Sequence, residues 1–345
     1  MGFLLRFSVV PALALALASC AITSQEPGWQ AELMGRSNTG DQYADFLTAR
    51  YAGMTRNTSA AAFYSARAAE RAPHDPALLE QAAFAELLEG DAIAAAKLAS
   101  HADAKTLLGA PSAQLALIAD DIAAGRNAKA LKELEGGQLG VVNDDIVRGL
   151  SAWLLAEHDT DKGLAKLDNA SRQSLARTGV YTGMQALILL SAKRDQEALA
   201  KFRTDARSPD ILAAAHIRLL GANGDLEVAK TLLRSAYFPT IRVRPELERV
   251  RSMLDEGKVE PMRFSTKEGA AAAIYLFAPQ SGPAPNPEIQ SAYLTLALRI
   301  DPEFESARAE EVEALTNQGR LQDAVDISKG FHPGSPYFGK AKARK

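Results

Sequence analysis

A small residue recurs at a nearly constant interval along most of the chain, each time early in a predicted helix. After the first of these residues the steps are 34, 35, 33, 35 and 31 residues. Self-similarity at a fixed period of this length is typical of proteins built from stacked repeats. The sequence therefore predicts an all-α fold, an α-solenoid of helix-turn-helix units. The recurring residues are Ala61, Ala95, Ala130, Gly163, Ala198, Ala229 and, after a gap, Ala324.

The first unit shows which kind of repeat this is. Ala61 is followed by Ala68 and then by Pro73, and this spacing resembles the tetratricopeptide repeat. The second unit keeps Ala95 and Ala102 but has leucine in place of the proline. The small residues are required because the second helix of each unit packs too closely against its neighbours for a larger side chain. Ala297 lies five residues before Pro302, as Ala68 does before Pro73, so a similar repeat is predicted near the C-terminus.

The N-terminal residues 1–19 are predicted to be a secretory signal and not part of the fold. Arg6 is followed by an apolar run that is too short to span a membrane as a mature helix. The run ends in Leu17-Ala18-Ser19-Cys20, which resembles the lipobox of bacterial lipoproteins, and Cys20 is the only cysteine of the chain. The resemblance implies a lipid on Cys20 and, with Ala21 next to it, sorting to the outer membrane. An ordinary cleaved signal with an incidental cysteine is the alternative.

Composition and the positions of glycine and proline divide the rest of the chain into segments. Residues 20–40 are predicted to be a lipidated flexible tether, and residues 41–235 a tetratricopeptide-like array of about six helix pairs. Residues 236–265 contain three prolines and are predicted to be either a hinge or a degenerate repeat. Residues 266–345 are predicted to hold further repeats, interrupted by the proline-rich loop 279–287.

The first helices of stacked pairs line the concave side of a solenoid, where partners bind. Positions that match the groove-facing ones of tetratricopeptide repeats are therefore candidates for partner binding. The alternative is that they pack between neighbouring units. The candidates are Phe46, Arg50, Glu80, Phe84, Leu87, Leu115, Ile122, Arg148, Leu155, Leu187 and Arg218.

No pattern in the sequence indicates catalysis. The five histidines have no metal-ligand spacing, and phosphate-binding glycine loops and nucleophile motifs are absent, so no metal, cofactor or small-molecule substrate is predicted. A net charge of −3 argues against nucleic acid as a partner. The acidic cluster Glu310, Glu311 and Glu313 is predicted to be solvated. The basic stretch from Arg242 to Arg251 is predicted to be a solvated hinge, with an acidic partner or lipid headgroups as the alternative.

These observations predict a non-enzymatic lipoprotein, anchored through Cys20 in the outer membrane and facing the periplasm. It would bind an envelope protein or a peptide segment as a scaffold or assembly factor. The alternative is a helical arm or regulator of an enzyme that makes or cleaves peptidoglycan.

Overall fold

The structure is a computed structural model that describes residues 38–137, 139–140, 143–171, 178–202, 208–237, 244–278 and 286–338. The predicted signal 1–19, Cys20, the tether up to residue 37, Arg242 and the loop residues 279–285 lie outside these ranges. The described residues form eighteen α-helices and no strand, which confirms the predicted all-α class. The helices are α1 Asn38–Met54, α2 Thr58–Arg71, α3 Pro76–Glu89, α4 Ala92–His101, α5 Ala104–Leu108, α6 Pro111–Ala123, α7 Asn127–Gly136, α8 Asp144–Ala156, α9 Thr160–Ser171, α10 Thr178–Ser191, α11 Asp195–Lys201, α12 Asp210–Ala222, α13 Leu226–Tyr237, α14 Pro245–Glu256, α15 Thr266–Phe277, α16 Pro287–Ile300, α17 Glu305–Asn317 and α18 Leu321–Ser328.

Consecutive helices pack as antiparallel pairs, and each pair stacks on the next, as in an α-solenoid. Six pairs lie between residues 38 and 237: α1/α2, α3/α4, α6/α7, α8/α9, α10/α11 and α12/α13. We call them units one to six. None of the described helices is both long and apolar enough to cross a membrane.

Local capping explains where the helices of unit two begin. The Asp75 side chain accepts hydrogen bonds from the backbone N–H groups of Ala77 and Leu78, and Pro76 occupies the first turn of α3. Asp91 caps α4 by accepting from the N–H of Ala94 at 2.8 Å. Each such cap contributes about 1 kcal/mol to helix stability, because it satisfies N–H groups that have no partner within the helix.

In five of the six units, the turn inside the pair passes through one residue with a left-handed backbone. Glycine fills this position in unit two, where Gly90 has φ 94°, and in units three and six. Unit one has Arg56 there with φ 58°, and unit five has Lys193 with φ 60°. A residue with a side chain in this conformation costs roughly 1–2 kcal/mol relative to the right-handed one. The turn geometry is therefore imposed by the packing of the two helices and not by the residue in it.

The recurring small residues lie at the closest helix contacts. Ala95, Ala130, Ala198 and Ala229 are completely buried. A Cβ atom on Gly163 would lie 2.6 Å from the carbonyl oxygen of Ala152, so no side chain fits at that joint. The other predicted packing residues are buried, namely Ala68, Ala297 and Ala324, or half-buried, namely Ala61 and Ala102.

The segment predicted to be a hinge or a degenerate repeat contains one packed helix. Helix α14 lies against α12, and its side chains Leu247, Val250 and Leu254 are buried in a cluster with residues of α12 and α13. Arg244, just before α14, is itself buried and forms an ion pair with Asp210 at 2.7 Å. The described part of this segment therefore adds a single helix to the stack.

The C-terminal helices turn back onto the array. Helix α15 packs mainly on α8, and α16 packs on α3 and α6, so both lie across the first helices of the units. Nearly every residue of α15 is buried, from Gly269 to Phe277. Arg299 of α16 forms an ion pair with Asp120 at 2.6 Å, and Lys267 donates to the carbonyl oxygen of Ala123 at 2.6 Å. The inner face of units two to five is thus covered by the chain's own C-terminal part.

Candidate functional site

The prediction of a partner-binding groove is wrong for most of its residues, because α15 and α16 cover the inner face of the array. Leu87, Leu115, Ile122 and Leu187 are buried and belong to one core cluster with residues of α15 and α16. Phe84 is partly buried and packs against the same cluster. These side chains are core residues, because α15 and α16 occupy the space that the sequence pattern left for a partner.

The polar candidates of that groove are also engaged within the protein. Glu80 accepts hydrogen bonds from the N–H and the hydroxyl of Ser112, both at 2.7 Å, and burial raises its pKa. Arg218 donates to the carbonyl oxygen of Glu260 at 2.8 Å, and burial lowers its pKa.

The remaining candidates of the groove are partly or fully accessible. Arg148 and Leu155 are half-buried. Phe46 is half-buried as well, and Arg50 is exposed with its guanidinium 5.9 Å from the Phe46 ring centre, so this pair lies in unit one, outside the covered face.

The prediction that two charged clusters are solvated is also corrected. Glu311 is almost completely buried, accepts a hydrogen bond from the Ser291 hydroxyl and has its pKa raised by burial to about 7. In the basic stretch, Arg244 is buried and Arg249 lies 3.4 Å from Glu305. The runs of like charges in the sequence did not show that Ser291 and Glu305, on other helices, contact these residues.

A cleft of about 470 Å³ remains open where the C-terminal helices meet units one and two. Its walls come from the turn between α1 and α2, the end of α3, the start of α16 and the turn between α17 and α18. Apolar atoms form most of the lining. The apolar lining residues are Gly53, Ala61, Ala85, Leu88 and Pro287, and the polar or charged ones are Arg56, Thr58, Asn286, Glu288, Gln318 and Arg320.

The two arginines of the cleft differ in their surroundings. The Arg320 side chain is nearly buried, donates to the carbonyl oxygen of Leu88 and forms an ion pair with Asp323 at 2.7 Å. Arg56 is exposed and donates to the carbonyl oxygen of Gln318 at 3.0 Å. Arg320 therefore holds the walls together, and Arg56 offers its remaining donors to the cleft opening.

A second open surface lies on the outer side of α1. Tyr43, Leu47, Tyr51 and Met54 are 64%, 54%, 69% and 82% exposed. The opposite side of α1 packs on α2 through Ala49, Ala52 and the buried Asp45, which forms an ion pair with Arg71 at 2.6 Å. The spacing of these four residues was visible in the sequence. This spacing did not show that the side of α1 with the bulky residues is the exposed one.

The described histidines do not form a metal site. His74 pairs with Asp103, His332 pairs with Glu303, and His216 stacks on Phe202 with ring centres 4.9 Å apart. In the part of the chain that the structure describes, no three histidine, cysteine, aspartate or glutamate side chains are placed to hold a metal ion.

The fold defines a class, an all-α protein of stacked helix pairs whose inner face is closed by its own C-terminal helices. Comparison with known proteins does not narrow this class: no family model matches the chain. No curated protein matches it either.

Proposed function

We propose that the protein is a non-enzymatic, lipid-anchored scaffold of the bacterial envelope, with repeats of the tetratricopeptide type, that binds a peptide segment of another envelope protein. The observation that carries the proposal is the open cleft between unit one and the C-terminal helices. Binding clefts of about 300–1,000 Å³ with apolar walls and a few polar groups are typical of specific ligand sites. The sequence supports the envelope location through the predicted signal and Cys20.

The cleft suits one short segment better than a folded surface. Its apolar walls can cover one or two aliphatic or aromatic side chains of a peptide, while Arg56 and the polar residues at the opening bind its backbone or a carboxylate. Because α15 and α16 cover the inner face, a partner reaches the array at this cleft without displacing core helices.

We expect Arg56→Gly to weaken recovery of the partner from detergent-solubilised membranes by about tenfold, the loss of one charge-assisted hydrogen bond. Glycine removes the guanidinium and tolerates the left-handed backbone, so the turn should keep its shape. Lys193→Gly makes the same change at the corresponding turn of unit five and is the matched control.

The same experiment can locate the site. A photo-crosslinking residue at Thr58, which lines the cleft, should capture the partner, and one at Lys193 should not. Equal recovery with Arg56→Gly and wild type, together with equal crosslinking from both positions, would rule out the cleft. Clearing of a peptidoglycan gel by the purified protein would instead favour the enzyme-related alternative.

The anchor is tested separately. Cys20→Ala should abolish incorporation of radiolabelled palmitate and release the protein from the membrane fraction, because the resemblance to bacterial lipoproteins makes this thiol the acceptor of the lipid. Equal labelling of the wild type and the variant would show that Cys20 carries no lipid.

A further inference from the structure

The exposed side of α1 is apolar, uncharged and continuous. At about 100° per residue, the side chains at positions 40, 43, 44, 47, 51 and 54 fall within an arc of roughly 100°. This arc contains Gly40, Tyr43, Ala44, Leu47, Tyr51 and Met54 and no charged residue. We call it the α1 face. Its four large side chains are all more than half exposed.

The α1 face is complementary to itself. If two copies of α1 pack antiparallel about a two-fold axis at Leu47, each residue faces the one whose number brings the sum to 94. Leu47 then meets its own copy, and Tyr43 meets Tyr51. Met54, the most exposed side chain, meets Gly40, and Ala44 meets Arg50 at the edge of the arc. Met54 opposite Gly40 places a large side chain against a small one, and packed helices of this kind lie about 8–10 Å apart.

We propose that the α1 face is an isologous dimer interface between two copies of this chain. A two-fold contact requires one patch that fits itself, which is what the order of residues along α1 supplies. At the observed exposures the four large side chains offer roughly 500 Å² per copy, or about 1,000 Å² in all, the lower limit for a specific interface. Arg50, the charged residue nearest to the arc, is exposed and can keep its guanidinium in water at the rim of the contact, so the pairing does not require an ionised group to be desolvated. The inference does not depend on the peptide-binding proposal, because no residue of the α1 face lines the cleft.

Cysteine crosslinking tests the register of the pairing, since Cys20 is the only native cysteine. In the full chain carrying Cys20→Ser, purified in mild detergent, Leu47→Cys should form a disulfide-linked dimer under mild oxidation. Tyr43→Cys and Tyr51→Cys should each crosslink poorly alone and well when mixed, because these positions face each other only across the two-fold axis. Thr48→Cys is exposed on the same helix but lies outside the arc, and it should react at least about tenfold more slowly than Leu47→Cys.

Sedimentation supplies the second readout. The Cys20→Ser chain should sediment as a dimer in a concentration-dependent way, and adding Leu47→Arg should make it monomeric with an unchanged helical circular dichroism spectrum and melting temperature. A monomer at every concentration, or equal crosslinking from Leu47→Cys and Thr48→Cys, would overturn the dimer. In that case, loss of binding to lipid vesicles in Leu47→Arg would identify a membrane-contacting face. Slow maleimide labelling of Leu47→Cys in the monomer would show that residues preceding α1 cover it.

Discussion

Replacing Gly269 with alanine is expected to lower the free energy of unfolding by about 3 kcal/mol, at the upper end of the usual range for overpacking. A Cβ atom at this position would lie less than 3 Å from three atoms of the Trp153 indole ring. Trp153 is buried on α8 and contacts the ring of Phe264, so it has little room to move. The gain in helix propensity from glycine to alanine is only about 1 kcal/mol and does not offset the clash.

Gly179→Ala is the matched control. Gly179 also lies in the first turn of a helix, α10, but a Cβ atom added there would have no other atom within 4 Å. The change should leave stability unaltered or raise it by up to about 1 kcal/mol. Urea unfolding followed by circular dichroism measures both variants. If Gly269→Ala is as stable as wild type, α15 does not pack on α8 as described, and the inner face of the array is open.

Glu311→Gln is expected to raise the free energy of unfolding by about 3 kcal/mol at pH 8 and by much less at pH 5. Burial raises the pKa of Glu311 from 4.5 to about 7, although the Ser291 hydrogen bond and the charge of Arg320 lower it in part. Glutamine keeps an acceptor for the Ser291 hydroxyl and carries no charge. The gain comes from removing an ionised carboxylate from the interior.

The sign follows from proton binding. Below about pH 4.5 the carboxyl is protonated in both the folded and the unfolded chain, and burial has no ionic penalty. Between pH 4.5 and about 7 the unfolded chain releases the proton that the folded protein retains, so the wild type loses stability as pH rises. Above about pH 7 the penalty is constant.

Urea unfolding at the two pH values measures this effect, with Glu135→Gln as control. Glu135 is exposed on α7, so the same chemical change there should alter stability by no more than about 0.5 kcal/mol at either pH. If Glu311→Gln gives no larger gain at pH 8 than Glu135→Gln does, the carboxylate of Glu311 is solvated, as the acidic cluster in the sequence had suggested.

Much of the local architecture could be predicted from the sequence. Asp75 with Pro76, and Gly90 with Asp91, end one helix and begin the next through contacts within a few residues. The period of the small residues predicted the spacing of the units, since Ala95 and Ala130 lie where helices touch. These features depend on neighbours in the chain or in the adjacent unit, which a periodic pattern records.

The candidate site could not be predicted in the same way. Leu87 and Ile122 are apolar whether they line an open groove or lie under another helix, and no local signal separates the two cases. The outer side of α1 was not predicted to be an open surface, because its large residues are the exposed ones and its small residues are buried. Its buried side carries Ala49, Ala52 and an ion-paired Asp45, while the bulky residues such as Tyr51 are exposed.

By itself, the sequence determined the helical class, the spacing of the units and the helix ends, because capping, turn geometry and small-residue contacts act over short distances along the chain. Only the tertiary structure decided that α15 and α16 fill the inner face. The contacts that hold them join distant residues, such as Lys267 with Ala123 and Arg299 with Asp120, 144 and 179 positions apart. An alanine-rich helix such as α15 can pack on many apolar surfaces. Its place is fixed by shape, where Gly269 admits the ring of Trp153, and a linear pattern does not contain that information.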